Sequence, residues 1–429
     1  MAIRVEKLPY GVGRPTSRWY GLAGLLAAVV GVGAYAYSRE VMGGLSETGM
    51  RDVGTMGGAT WGIYIAFVVY FVGVSFAGIT VAALIRLANL KALRSISRMA
   101  ELLTVVSLML AGLAILADLG QPLRGIVNLF RYARPQSPFF GTFTLVISGY
   151  LFASVVYLYL DSRRDAALCA EVPGPLQRFH RWWSAGYHDT PAERQRHDRA
   201  SFWLAVAILP LLVTAHSTLG FVFGLQIGRP GWFSALQAPA FVILAGVSGV
   251  GLLIVVAAGV RRWLGEREQL GEQVFKWLGG LLFFLILAYL YFVVVEVLTA
   301  AYTGMENERD VIRALLVGDY APIFWASVGM LIVPLGLLVT QFLRRRVSIG
   351  AMVASGILVN LAAIGKRYLI VVPSQTHGTL LPYGTGTYTP SVTEIGVVAG
   401  LLAFGALSYV VFAKVFPVMD IPETEGDRP

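Results

Sequence analysis

The chain contains 429 residues, of which 56% are hydrophobic and only 14% are charged, and its formal net charge is +9. Soluble domains contain about 25% charged residues, so this composition, with a mean hydropathy of +0.67, excludes a soluble globular protein. The single cysteine, Cys169, excludes an iron–sulfur cluster with four cysteine ligands. No Walker motif is present, which argues against an ATPase.

Apolar runs of about 20 residues, the length that crosses a bilayer as a helix, follow one another along the chain. We therefore predict an all-α integral membrane protein with ten transmembrane helices, both of whose termini lie on one side. The predicted spans are 19–37, 61–85, 100–117, 139–160, 201–223, 237–260, 274–302, 321–343, 347–365 and 391–416. Only one of the five histidines, His216, falls inside a span, so we expect no haem held by two histidines.

The lysines and arginines are distributed unevenly between the two sides. The two terminal segments and the loops after spans 2, 4, 6 and 8 contain 24 of the 34 lysine and arginine residues, and the other loops contain 10. Because positively charged residues accumulate on the cytoplasmic side, we predict that both termini are cytoplasmic. This topology explains the positive net charge, and we expect no nucleic acid as a partner.

Two similar glycine-rich segments indicate an internal duplication. GVSFAG at 73–78 and GVSGVG at 246–251 are each followed by an apolar run and a basic cluster, and then by a carboxylate near the outer end of the next span, Asp118 or Glu296. We predict two four-helix bundles, spans 2–5 and spans 6–9, related by a parallel repeat and flanked by spans 1 and 10. The alternative is a chance match, because small residues are common where membrane helices pack.

The predicted bundles divide the chain into four segments. These are 1–60 (N-terminal arm, flanking helix and outer loop), 61–236 (first bundle), 237–390 (second bundle and outer loop) and 391–429 (last helix and tail). The outer loop 366–390 is rich in glycine and aromatic residues but has few charges. We expect it to cover a site or contact a partner, and an ordinary surface loop is the alternative.

Six residues are candidates for a binding site because ionisable groups inside apolar spans are costly and usually face a cavity or one another. These candidates are Asp118, Arg124, His216, Tyr289, Glu296 and Arg367. In the predicted topology the ionisable groups within the spans lie toward the extracytoplasmic face, and we predict that acid and imidazole side chains from separate helices converge there in one apolar chamber.

Each candidate also has a structural interpretation. Asp118 ends an apolar helix just before Gly120 and Pro122, where it could simply pair with Arg124. His216 could bridge packed helices, and Arg367 could anchor its helix at the interface. Glu296 is harder to explain structurally, because valines flank it on both sides.

A histidine and carboxylates in an apolar pocket suit a quinol, since quinol oxidation releases two protons and two electrons and the hydroxyls need hydrogen-bond acceptors. We therefore predict that these residues bind quinone or transfer protons. With neither a haem nor an iron–sulfur cluster expected in this chain, a partner must exchange the electrons. Glu101, near the inner end of span 3, and Glu296 are the predicted ends of a proton path.

Several motifs resemble the polysulfide reductase membrane-subunit family, also called the NrfD/PsrC family. They are DLGQPLR at 118–124, SPFFGTF at 137–143, the segment 215–249 and the ending 366–417, which contains Tyr-x-Pro-x-x-x-Glu at 388–394. With ten spans the chain is similar to the longer branch, which includes the quinol-interacting subunits of alternative complex III and Qrc. Some members carry Asn or His at the quinone in the first bundle helix, where this chain has Tyr64 and Tyr70.

The resemblance implies a respiratory subunit of the bacterial inner membrane that binds menaquinone or ubiquinone near the periplasmic face and is not catalytic alone. It further implies an iron–sulfur (ferredoxin-like) subunit and a larger catalytic or multihaem subunit on the periplasmic side. Two alternatives stay open from the residues themselves. One is a proton-coupled secondary transporter, and the other is a membrane anchor with no redox role.

Overall fold

A computed structural model describes residues 8–51, 57–132, 134, 136–137, 142–265, 268–377 and 385–421. Within these ranges the chain forms helices and no strand. The α-helices are α1 (Ser17–Gly43), α2 (Ile63–Leu87), α3 (Ser97–Asp118), α4 (Pro122–Tyr132), α5 (Phe143–Ala170), α6 (Gln177–Trp183), α7 (Pro191–Gly224), α8 (Gln237–Leu264), α9 (Glu272–Thr303), α10 (Glu306–Leu316), α11 (Ala321–Arg344), α12 (Ile349–Val371), α13 (Pro373–Thr376) and α14 (Val392–Val415).

Ten of these helices are long and apolar enough to cross a membrane: α1, α2, α3, α5, α7, α8, α9, α11, α12 and α14. In lipid, an apolar run must form a helix because every backbone polar group needs a partner within the protein. The predicted all-α membrane fold with ten spans is therefore confirmed. The short helices α4, α6, α10 and α13 were not predicted, because they lie outside the apolar runs.

The two terminal segments meet at one end of the helix bundle. The Gly13 amide donates to the Lys414 carbonyl at 2.9 Å, and the Tyr10 hydroxyl donates to the Asp420 carbonyl at 3.1 Å. We call this the terminal end and the opposite end, where α3 finishes at Asp118, the distal end. The assignment of the terminal end to the cytoplasm stays a prediction.

The helices α2, α3, α5 and α7, which we call the first group, pack on one another, and so do α8, α9, α11 and α12, the second group, while α1 packs on α14. α8 packs equally closely on α2 and α7, so the two groups share an extensive interface. The two glycine-rich segments lie face to face between the groups. A Cβ atom on Gly249 would lie 2.6 Å from the Val74 carbonyl oxygen, so only glycine allows α8 to approach α2 this closely. The duplication and the boundaries of the four segments stay predictions.

Candidate functional site

The distal end of α3 turns sharply after Asp118. Gly120 has a φ of +62°, a conformation that favours glycine, and Pro122 is the first residue of α4, where its fixed φ suits a helix start. α4 exposes an apolar side that includes Leu123 and Phe130. Gly120 and Pro122, which we expected to end α3, therefore also introduce the amphipathic helix α4.

Asp118 belongs to a group of side chains that we call the distal carboxylate cluster: Glu40, Tyr64, Asp118, Tyr388 and Glu394. The ends of α1 and α3 lie side by side there, since the Tyr37 hydroxyl, three residues before Glu40, donates to the Leu116 carbonyl, two residues before Asp118, at 3.2 Å. The Tyr64 hydroxyl donates to Glu40 Oε2 at 2.7 Å. Among the described residues, the buried atoms Asp118 Oδ1 and Glu40 Oε1 have no hydrogen-bond partner. The cluster thus contains two acceptor oxygens that a ligand could use.

Glu394 differs from the other two carboxylates because both of its oxygens are occupied. The Tyr388 hydroxyl donates to Oε1 at 2.6 Å, and the amides of Gly49 and Ser391 donate to Oε2 at 2.7 and 2.8 Å. Burial, and secondarily the Glu394 carboxylate, hold the pKa of Tyr388 well above its usual range, so the hydroxyl keeps its proton. These contacts make Glu394 the residue that ties the start of α14 to the segment after α1.

An open groove of about 490 Å³ lies at the distal end and borders the turn that follows Asp118. Leu45, which follows the last turn of α1, forms one wall, and Leu119, directly after Asp118, belongs to the other. Arg124 lines the same groove from α4. The groove offers a route by which a ligand could approach Asp118 from the distal end.

The interpretation that Asp118 pairs with Arg124 is wrong for this structure. Among the described residues, no ion pair joins these two side chains, and Arg124 is exposed on α4. The physical reason is the turn at Gly120, after which α4 carries Arg124 to the groove while Asp118 stays in the last turn of α3. Arg124 is a residue of the groove wall rather than a counter-ion.

His216 is buried in the first group of helices. Its Nδ1 lies 2.8 Å from the Leu212 carbonyl and its Nε2 lies 2.7 Å from the Val72 carbonyl of α2. A neutral imidazole donates to only one of these oxygens, but in either tautomer both ring nitrogens face backbone carbonyl oxygens. His216 therefore occupies the helix-bridging position named as its structural alternative, and its part in proton transfer stays a prediction.

Arg367, Tyr289 and Glu296 line one small cavity in the second group, which we call the Arg367 pocket. The guanidinium lies 4.2 Å from the centre of the Phe241 ring, and its Nη2 donates to the Phe241 carbonyl at 3.3 Å. Nη1 is buried and has no hydrogen-bond partner among the described residues. The cavity measures about 10 Å³, roughly the space of one water molecule, so a quinone ring would enter only after a wall side chain moved.

The prediction that the acid and imidazole side chains converge in one chamber is wrong. Asp118 lies in the distal carboxylate cluster, His216 between packed helices, and Arg124 on the groove wall. Of the six candidates, Tyr289, Glu296 and Arg367 line one cavity. Arg367 also reaches the part of α2 that His216 contacts, because its Nη2 lies 3.6 Å from the position of a Cβ atom on Gly73. The error arose because position along a span predicts depth in the membrane but not the side of the helix that carries the residue.

A third polar group lies at the terminal end and forms an ion-pair network. Arg98 Nη2 lies 2.8 Å from Asp165 Oδ2, and its Nη1 lies 3.2 Å from Glu101 Oε2. Between this network and the centre of the bundle, the hydroxyls of Thr104 and Tyr150 both donate to the Ser75 carbonyl. Backbone carbonyls do not release protons, so these bonds do not form a proton relay. The path between Glu101 and Glu296 stays a prediction.

The comparison with known families decides the identity of the chain. The family model for polysulphide reductase, NrfD, matches residues 52–377. The chain belongs to the NrfD family. The match covers Tyr64 and Asp118, whereas Glu40, Tyr388 and Glu394 lie outside it on the flanking helices α1 and α14 and the segment before α14.

Three relatives of this NrfD-family chain are subunits of oxidoreductases. A putative membrane subunit of dimethyl sulfoxide reductase from Halobacterium salinarum is 33% identical over 93% of this chain and 91% of its own. A selenate reductase subunit from Mesobacillus selenatarsenatis is 27% identical over 89% and 92%. An Hdr-like menaquinol oxidoreductase integral membrane subunit from Archaeoglobus fulgidus is 26% identical over 95% and 94%.

Sequence reasoning missed Glu40 as a member of the NrfD-family chain's distal site, although it is a carboxylate at the outer end of an apolar helix like Asp118. It also singled out Tyr64, Tyr388 and Glu394 only as parts of motifs. The motif Tyr-x-Pro-x-x-x-Glu could have pointed to Tyr388 and Glu394 as members of the site. In the structure the tyrosine of this motif donates a hydrogen bond to its glutamate. The motif 137–143 and the outer loop 366–390 fall partly outside the described residues, at 138–141 and 378–384.

Proposed function

We propose that this NrfD-family subunit binds a quinone or quinol head group at the distal carboxylate cluster and exchanges its electrons with an iron–sulfur partner subunit. Menaquinol is the quinol we favour, because it appears in the name of the Archaeoglobus fulgidus relative. The distal end would face the extracytoplasmic side, where 10 of the 34 lysine and arginine residues lie. The protein is not catalytic alone, since the electrons must leave for a larger catalytic subunit.

One observation supports this proposal above the others. Asp118 Oδ1 and Glu40 Oε1 come from different helices, are buried and lack partners among the described residues, and the open groove borders the turn that directly follows Asp118. Buried polar atoms are nearly always hydrogen-bonded in native proteins, so unpartnered acceptors indicate a missing donor. The two hydroxyls of a quinol are donors of the required kind.

The cluster also supplies the proton chemistry. When a quinol is oxidised, its two hydroxyl protons go to base residues and its two electrons go to the partner. Asp118 and Glu40 would take the protons, and Tyr64 would keep Glu40 in place through its hydrogen bond at 2.7 Å. Proton release would then occur at the distal end, without a path across the membrane.

The test compares Asp118→Asn with the matched control Glu47→Gln in the complex purified with its partner subunits. Glu47 is a surface carboxylate at the same end, paired with Arg39 at 2.8 Å. We expect Asp118→Asn to lower quinol-linked turnover by roughly 100-fold or more, the usual range for losing a general base. Glu47→Gln should leave it unchanged. Turnover of the catalytic partner with a soluble redox dye should stay normal in both, because the dye bypasses this membrane protein.

Other results would assign the chemistry elsewhere. Normal quinol-linked turnover in Asp118→Asn, together with a large loss in Glu296→Gln or Arg367→Lys, would move the head group to the Arg367 pocket. Purification without any iron–sulfur subunit, and without quinol-linked electron transfer, would contradict the proposal and favour the transporter. If the purified complex retained its catalytic partner and turned over with the redox dye but not with quinol, only the role of a membrane anchor would be left.

A further inference from the structure

A long apolar groove runs along the outside of the bundle from the terminal end and lies apart from the distal cluster. Its volume is about 460 Å³, and residues of α1, α2, α3, α8 and α14 line it. Leu103, Val106 and Leu110 of α3 form a buried floor. Trp263 and Leu402 stand half exposed at its rim. The groove thus lies between the flanking pair α1 and α14 and the helices α2, α3 and α8, beside the place where α14 packs directly on α3.

Three of the polar groups along the groove are already engaged with the protein. Trp19 Nε1 donates to the Val410 carbonyl at 2.9 Å, and the Tyr70 hydroxyl donates to Asn360 Oδ1 at 2.8 Å. The Tyr409 hydroxyl donates to the Met99 carbonyl. Because these groups are satisfied within the protein, the wall offers an occupant mainly apolar contact. A hydrocarbon chain fits this surface, whereas a quinone head group would lose its hydrogen bonds there.

The length of the groove matches one leaflet of a bilayer. It extends along α14 from Lys414 at the terminal end to Leu402, twelve residues apart, which corresponds to about 18 Å of helix. The hydrocarbon core of a bilayer is about 30 Å thick, so one leaflet measures about 15 Å. An acyl chain of the leaflet at the terminal end would therefore fill the groove and finish near Leu402.

The mouth of the groove carries positive charge and interfacial aromatic rings. Lys414 lines it, and its ammonium donates to the Gly11 carbonyl at 3.1 Å, which uses one of three donors. Trp19 and Trp263 stand at the same level, and tryptophan is enriched where chains meet head groups. No Asp or Glu is among the described residues that line the groove. This combination attracts a phosphate rather than a cationic head group.

We infer that the groove is a specific site for one phospholipid with an anionic head group, whose acyl chain fills the groove and whose phosphate contacts Lys414. The lipid would complete the packing between α1 and α14 on one side and α2, α3 and α8 on the other. This inference is independent of the proposed quinone function.

The test uses native mass spectrometry of the delipidated full-length protein with added dioleoylphosphatidylglycerol or dioleoylphosphatidylcholine. Gly259→Phe fills the groove, because Gly259 lines it and a side chain there meets open space. Gly336→Phe is the matched control, since it also points into open space but lies on α11, away from the groove. Lys414→Gln tests the head group without filling the groove.

The wild-type protein and Gly336→Phe should each retain one phosphatidylglycerol in preference to phosphatidylcholine. Gly259→Phe should lose this lipid while keeping the wild-type melting temperature in lipid-free detergent. Lys414→Gln should bind it with roughly fivefold less preference for the anionic lipid, the contribution of about one surface lysine. Equal occupancy in all variants would overturn the inference. Displacement of the lipid by a menaquinone would overturn it as well, by showing that the groove holds a quinone tail.

Discussion

At the scale of residues, several charged side chains are buried together at the terminal end. Arg98 is almost fully buried and contacts Glu101, Asp161 and Asp165, while Arg86 lies 2.8 Å from Asp161. Taking charges out of water costs several kcal/mol per ion unless they are paired. Each of these carboxylates therefore depends on its arginine.

Removing Arg98 should destabilise the protein strongly. Arg98→Met keeps the length of the side chain but leaves buried carboxylates without their main partner, and breaking such a network costs about 3–5 kcal/mol. We expect a clear fall in melting temperature in detergent. The control is Arg39→Met, which breaks the exposed Arg39–Glu47 pair and should cost about 1 kcal/mol or less. Equal melting temperatures for the two variants would show that the network does not stabilise the fold.

At the scale of helices, a close contact between glycines sets the distance between the two flanking helices, α1 and α14. A Cβ atom on Gly33 of α1 would lie 2.6 Å from Gly400 Cα of α14. This contact matters for the site because α1 carries Glu40 and α14 carries Glu394, two members of the distal carboxylate cluster. The spacing of two helices thus determines whether carboxylates that are more than 350 residues apart can meet.

A larger residue at this contact should separate α1 from α14. Gly33→Leu introduces a side chain where the backbone of α14 already lies, and overpacking typically costs about 1–3 kcal/mol. Gly24→Leu is the control on the same helix, since a Cβ atom there meets nothing within 4 Å. We expect Gly33→Leu to lower the melting temperature and Gly24→Leu to leave it unchanged. The opposite order would show that α1 does not pack through Gly33.

At the scale of the whole molecule, the orientation in the membrane decides which compartment the distal carboxylate cluster faces. Both terminal segments lie at one end of the bundle, and Asp118 lies at the other. The distribution of lysine and arginine predicts a cytoplasmic terminal end. Protons released at the distal cluster would then leave on the extracytoplasmic side.

Cysteine labelling measures this orientation directly. In a Cys169→Ser background, Ser46→Cys places an exposed thiol at the distal end and Ser17→Cys places one at the terminal end. A membrane-impermeant maleimide should label Ser46→Cys in intact cells, and Ser17→Cys only after the membrane is opened. Labelling of Ser17→Cys alone in intact cells would invert the topology and move the proposed quinone site to the cytoplasmic side.

The sequence by itself determined the number of spans and their limits to within a few residues for most of them. The reason is that a run of apolar residues in lipid has no alternative to a helix. The sequence also predicted that Asp118, Glu296 and Arg367 lie toward the same face of the membrane, since the depth of a residue in the membrane follows from its position along a span. The pairing of Tyr289 with Glu296 was likewise accessible, because residues seven apart share one side of a helix.

Only the tertiary structure decided which of these groups meet. Glu40, Tyr64, Asp118 and Glu394 come from four helices, and a helix that is apolar on every side carries little periodic signal of the direction it faces. That direction depends on close backbone contacts such as Gly33 with Gly400 and Gly249 with Val74. For the same reason Asp118 and Glu296, which are alike in the sequence, belong to two separate sites.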